Sequence, residues 1–193
     1  MIIYLHGFNS SGASAKAKAL RRLLQPIAVL APSYHFDPPR AVERLQSQIE
    51  DALKTETPWD TFTLVGSSLG GFYAQYLARR YRCKLVLINP ALDPIPVLAD
   101  YLGENTNYYT GEVYVLERRH LDALRPYYVV DPCRDPVPTL VLLDQGDELL
   151  DYRIAFDRYQ ACAEVLRFDG GDHQFQHLPE TIESIKTLYR SIG

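Results

Sequence analysis

Six short runs rich in Ile, Val and Leu recur along this chain of 193 residues: Ile2–Leu5, Ile27–Leu30, Phe62–Val65, Leu85–Ile88, Thr139–Leu143 and Val165–Phe168. None alternates strictly between apolar and polar residues, the pattern of strands covered by helices on both faces of a parallel sheet. Between them lie stretches with helical spacing. Lys16–Leu24 follows Ser14, a good N-cap residue. Arg40–Leu53 places Val42, Leu45, Ile49 and Leu53 three or four residues apart. Leu69–Tyr81, Tyr152–Gln160 and Thr181–Ile192 complete the set. Such alternation predicts one α/β domain over residues 1–193, with a mostly parallel sheet of about six strands flanked by helices. A hydrophobic content of 47% in a chain of this length is enough for one continuous core.

One span breaks the rhythm. Residues 90–138 are too long for a simple strand-to-helix loop, and they are rich in Pro (Pro94, Pro96, Pro126) and Tyr (Tyr101, Tyr108, Tyr109, Tyr114). They read as an inserted cap over the strand ends, partly helical around Ile95–Leu102 and Glu117–Leu124.

The chemistry-bearing motif lies at Gly66-Ser67-Ser68-Leu69-Gly70, directly after the apolar run Thr61–Val65. Strand, sharp turn and helix in that order form the G-x-S-x-G nucleophile elbow, which holds a serine hydroxyl in the open at a strained turn. A serine hydroxyl needs a base to take its proton and an acid to orient that base. His120, His173 and His177 follow Ser68. His173 lies in the Gly-rich loop after the last strand and is the expected base. His177 reads as the start of the C-terminal helix, and His120 as part of a solvated helix face. The expected acid is Asp147, beyond the strand Thr139–Leu143, with Asp144 as runner-up. Glu148 and Asp151 read as residues at the start of the next helix, where the dipole favours negative charge. Oxyanion donors are expected from the backbone N–H of Leu69 and, in the His6-Gly7-Phe8 loop, of Phe8. His6 reads as a loop-shaping residue.

Several classes are excluded or disfavoured. A formal charge of −4 without a Lys/Arg cluster offers no footprint for nucleic acid. No G-x-x-x-x-G-K-[ST] or strand-following G-x-G-x-x-G marks a nucleotide site, and His173 with His177 lacks further ligands for a metal. No cofactor is implied. Cys83, Cys133 and Cys162 are far apart in sequence and suggest free thiols. With no basic apolar leader and no membrane-length run, a cytoplasmic location is expected.

The chain resembles the YqiA-type small bacterial esterases of the α/β-hydrolase superfamily. The resemblance is carried by Tyr4–Ser11, Gly66–Tyr73, Asn89-Pro90-Ala91, Asp100–Asn105, Tyr109–Glu112, Gly146–Tyr152 and Gly170–His173. It implies a compact hydrolase that omits the first two strands of the larger fold, with Ser68 as nucleophile, Asp147 as acid and His173 as base. It also implies a small-molecule partner, an acyl ester of short to medium chain or an acyl-CoA thioester. The rival reading from another class is a non-catalytic binding module on the same fold. Asp172 stands beside His173, and an adjacent carboxylate is expected to favour the charged imidazole and push the activity optimum above neutral pH.

Overall fold

The computed structural model of the chain describes residues 1–54 and 62–191. The expected run Thr61–Val65 therefore has its first residue, and the expected helix Thr181–Ile192 its last, outside the described residues. Six strands form one all-parallel sheet: β1 (Ile2–Leu5), β2 (Val29–Leu30), β3 (Thr63–Ser68), β4 (Lys84–Pro90), β7 (Thr139–Asp144) and β8 (Glu164–Phe168), in the order β2-β1-β3-β4-β7-β8.

Side chains alternate across this sheet, as the pleat requires. Ile3, Leu5, Leu64, Leu85, Leu87 and Val141 face one core cluster. Ile2, Tyr4, Val65, Val86, Ile88 and Leu140 face the other. The first cluster is covered by α2 (Pro38–Leu53), α3 (Leu69–Tyr81), α6 (Tyr152–Tyr159) and the insertion; the second by α1 (Ala15–Leu23) and α7 (Ile182–Arg190). On α2, Ala41, Val42, Leu45 and Ile49 form the buried stripe read from the sequence. Each fully buried aliphatic side chain contributes about 1.5–3 kcal/mol relative to exposure.

Boundaries moved where capping chemistry prevailed. The helix expected from Arg40 begins at Pro38, because proline is compatible with the first helical turn, where its missing N–H is not needed. The strand expected from Ile27 begins at Val29, because the Ile27 N–H bonds back to the Leu24 carbonyl and closes the end of α1 instead. β3 continues past Val65 to Ser68, and this extension delivers the elbow to the sheet edge.

From β1 the chain moves to β2 on one side, then returns to β3 on the other, so α1 and α2 lie on opposite faces. That reversal opens a crevice beyond the C-terminal ends of β1 and β3, the usual place for a site in an open α/β sheet.

The insertion folds as α4 (Pro94–Ala99), an antiparallel pair β5 (Gly103–Thr106) and β6 (Val113–Leu116), α5 (Arg118–Asp122) and a 3₁₀ turn at Arg125–Tyr127. The two helical stretches were expected; the hairpin was not, although Tyr114 and Leu116 alternate inward against outward Val113 and Val115. Two expectations are corrected. His120 is buried rather than solvated: its Nδ1 accepts from the Glu117 N–H at 2.9 Å, and its ring meets Phe36 edge-on. Cys133 and Cys162 form a disulfide, their Cα atoms 5.4 Å apart, because the fold brings the end of the insertion beside the turn after α6. Cys83 is free and buried, as expected, with burial pushing its thiol up to about 12. The reading of all three cysteines as free thiols therefore falls away. No described helix is long and apolar enough to cross a membrane.

Candidate active site

Ser68 ends β3 and immediately precedes α3, with φ 53° and ψ −124°, a conformation rarely adopted by a residue with a Cβ. The turn exists because its flanking positions lack side chains. A Cβ on Gly66 would lie 2.4 Å from the Gly70 carbonyl oxygen, and one on Gly70 would lie 2.1 Å from the Leu5 carbonyl oxygen. Ser68 makes no side-chain bond to the helix it caps, so its hydroxyl is available to other partners.

That partner is His173. Its Nε2 lies 3.1 Å from Ser68 Oγ, and its Nδ1 lies 2.9 Å from Asp147 Oδ2. A carboxylate only accepts, so Nδ1 carries the proton and Nε2 presents its lone pair to the serine hydroxyl. Asp147 is nearly buried and also accepts from the backbone N–H groups of Leu149 and Leu150, each at 2.9 Å. All three residues predicted from the sequence are thus brought together from β3, the β7–α6 loop and the loop after β8.

The runner-up acid serves the same loop differently. Asp144 is fully buried; Oδ1 pairs with His177 Nδ1 at 2.6 Å, and Oδ2 accepts from the N–H groups of Asp172 and Gln176. His173 and His177 therefore face separate carboxylates rather than a shared point, and among the described residues no group of His, Cys, Asp and Glu could hold a metal. His177 directly precedes a 3₁₀ turn, Leu178–Thr181, ahead of α7. Asp151 caps α6 by accepting from the Arg153 N–H, as its position suggested. Glu148 does not join that helix; its carboxylate accepts from the His173 N–H at 3.0 Å. Asp172 faces Gln174 and Gln176, leaving Asp147 as the carboxylate on the His173 ring.

Asn89 and Lys16 were missed as site residues. Asn89, buried at φ 39°, donates through Nδ2 to the Asp172 carbonyl at 3.0 Å and accepts from the Asp144 N–H at 2.9 Å, tying β4 to β7 and the His173 loop. A polar residue ending the apolar run Leu85–Ile88 was the available signal. Lys16 read only as a helix residue.

Leu69 is the first residue of α3, so its N–H has no intrahelical acceptor. Gly7 abuts Ser68: a Cβ there would lie 3.2 Å from Ser68 Cβ. Phe8 follows it and lines the same cavity. That cavity, about 510 Å³, is bounded by the β1–α1 loop, the elbow, His173 and the insertion residues Leu98, Tyr101, Tyr108 and Tyr109.

His6 shapes its loop as expected. Its ring stacks on Tyr34 with centroids 4.1 Å apart, and its Nδ1 bonds to the Gly7 carbonyl at 2.9 Å. Nε2 has no partner among the described residues, and burial pushes the imidazole from 6.5 down to about 4. Because the folded value lies below the unfolded one, the unfolded chain takes up the proton first. This site therefore adds no pH dependence well above pH 6.5, and stability falls as pH drops from 6.5 toward 4, by a total of about 3 kcal/mol. Thermal melts at pH 7 and 4.5 are expected to show a smaller acid loss for His6→Asn than for wild type; equal losses would refute the assignment.

A family model described as "Uncharacterised protein family (UPF0227)" matches residues 1–190. The chain belongs to UPF0227. Its relatives include the UPF0227 protein of Serratia proteamaculans, 24% identical over 190 residues that cover 97% of this chain and 98% of that one. Among solved structures, this UPF0227 chain is similar to Est1E from Butyrivibrio proteoclasticus, with 19% identity and a TM-score of 0.77 over 96% of this chain and 85% of that one. It is also similar to mouse alpha/beta hydrolase domain-containing protein 10, with 19% identity and a TM-score of 0.71 over 96% and 89%. At these identities the likeness is one of fold, and the fold of this UPF0227 member is that of the α/β hydrolases.

Proposed function

We propose that this protein is a serine hydrolase that cleaves carboxylic esters of short to medium acyl chain. The observation that carries the reading is the unbroken chain Asp147–His173–Ser68, with links of 2.9 and 3.1 Å, opening into a cavity walled partly by apolar side chains. Structural neighbours described as esterases agree with this reading. In it, His173 Nε2 takes the Ser68 proton as Oγ attacks the acyl carbon, while Asp147 stabilises the imidazolium. The N–H groups of Leu69 and Phe8 receive the developing oxyanion. The imidazolium then gives its proton to the leaving alcohol, and water activated by the same nitrogen releases the acid. Labelling with a fluorophosphonate, followed by mass spectrometry, tests the reading: an adduct is expected on Ser68 and nowhere in Ser68→Ala. A folded wild type that takes no label would count against it.

The insertion supplies the acyl wall in this proposal, since aromatic side chains combine large apolar area with a polar tip. Tyr101 meets Phe8 edge-on at 5.4 Å between ring centroids. Tyr101→Ala is expected to shift the preferred acyl length among 4-nitrophenyl esters and to change relative kcat/KM by about tenfold, as loss of an aromatic contact worth ~1–1.5 kcal/mol would. An unchanged chain-length profile would remove the insertion from the acyl site.

A further inference from the structure

Lys16 occupies a position that folding alone does not favour. It lies in the first turn of α1, behind the N-cap Ser14, where the helix dipole opposes a cation. Its ammonium nevertheless points to the cavity holding Ser68 and His173, donating to Ser67 Oγ at 2.7 Å. Lys16 forms no ion pair with a carboxylate among the described residues. The three acids whose charge it feels act only at a distance, because Asp147 is committed to His173, Asp144 to His177, and Asp172 to Gln174 and Gln176. The Tyr4 hydroxyl, held neutral by burial, faces Ser67 and Ser14 at the base of this wall. An ammonium has three donors, and Ser67 uses one.

We infer that Lys16 selects the substrate: the ester taken by this pocket carries a carboxylate, held by the Lys16 ammonium while its apolar part lies against Leu98 and Tyr101. The inference rests on the hydrolase reading and narrows it. Lys16 is the only Lys or Arg among the described residues lining the cavity, which suits one negative charge and not the several of a phosphorylated carrier. The lining offers both kinds of contact, polar groups such as Asn9, Ser14 and Ser67 and apolar insertion residues such as Val97 and Leu98. An unpaired ammonium costs free energy to keep in such a place, and a substrate anion recovers it through a charge-assisted hydrogen bond. Burial brings the Lys16 ammonium down to about 8, against the opposing pull of Asp147, Asp144 and Asp172. The protonated form needed for an anion therefore dominates at neutral pH and is lost above about 8.

The test is a ratio of kcat/KM values. 4-Nitrophenyl hemiadipate is compared with 4-nitrophenyl hexanoate, placing the charge on the acyl half; 3-carboxy-4-nitrophenyl hexanoate places it on the alcohol half. One charged ester is expected to be preferred by about tenfold or more, the worth of one hydrogen bond to a charged group. Lys16→Met should abolish that preference, read as the ratio to hexanoate within the same variant, and Lys16→Arg should restore it. In the wild type, with no substitution, the same ratio should fall as pH rises through about 8. A ratio unchanged by Lys16→Met, or flat from pH 6.5 to 9.5 in wild type, overturns the proposal while hexanoate turnover still upholds the hydrolase. No turnover of any ester and no label on Ser68 would overturn both.

Discussion

Ser68→Ala is expected to lower kcat/KM toward 4-nitrophenyl hexanoate by about 10⁴-fold or more, with the melting temperature changed by no more than about 2 °C. The loss is large because the Ser68 hydroxyl is the atom that His173 Nε2 addresses at 3.1 Å, and among the described residues no other hydroxyl bonds to that nitrogen. Stability should hold for three reasons. Ser68 Oγ makes no capping bond to α3, so no helix bond is lost. Serine and alanine both carry a Cβ, so the strain at φ 53° is the same in each. The side chain borders a cavity, so its removal opens no sealed void. Circular dichroism melts alongside steady-state kinetics decide the matter: a folded variant that keeps more than a few per cent of the activity would sink the nucleophile assignment.

Gly70→Ala should do the opposite, removing the fold rather than the chemistry. The added methyl would sit 2.1 Å from the Leu5 carbonyl oxygen and 2.4 Å from that of His6. Both are backbone atoms of β1 and the loop behind it, and neither can turn aside as a side chain would. Relief requires α3 to move off the sheet, which separates Leu69, Phe72 and Tyr73 from the core they help fill. Overpacking of this kind costs about 3 kcal/mol or more, about 6–12 °C in melting temperature for a chain of this size. A soluble Gly70→Ala protein melting within 2 °C of wild type would show that the contact between α3 and β1 is looser than these distances imply. Helix propensity alone would predict a gain from the substitution, so the sign of the shift separates the two effects.

Much of the fold was legible because it is periodic. The six strand runs and the stripe Val42, Leu45, Ile49 repeat a local rule of burial, and the structure differs from them mainly at ends set by caps. The hairpin of β5 and β6 was harder to read, since the alternation at Val113–Leu116 spans only four residues and is embedded among prolines and tyrosines. Cys133 and Cys162 illustrate a different limit. They are 29 residues apart, and nothing local says that the insertion ends beside the turn after α6.

The site divides along the same line. Ser68 was marked by its own neighbours, because the elbow is a local structure whose glycines must be adjacent in the chain to clear the turn. His173 and Asp147 could be nominated from strand order alone, since each strand end of a parallel sheet delivers its loop to one edge. Choosing Asp147 over Asp144, however, is a matter of tertiary structure: the fully buried Asp144 is aimed at His177 and the loop backbone, and Asp147 at the His173 ring. His120 went inward and Lys16 came to the cavity for the same reason, the packing of α1 and the insertion against a sheet that neither segment encodes by itself. The sequence by itself determined the layers, the elbow and the order in which the reacting groups appear, all of which follow from local periodicity and steric allowance. Only the tertiary structure decided which carboxylate meets the imidazole, which cysteines pair and where the Lys16 ammonium points, because those depend on distances between segments that local preferences leave free.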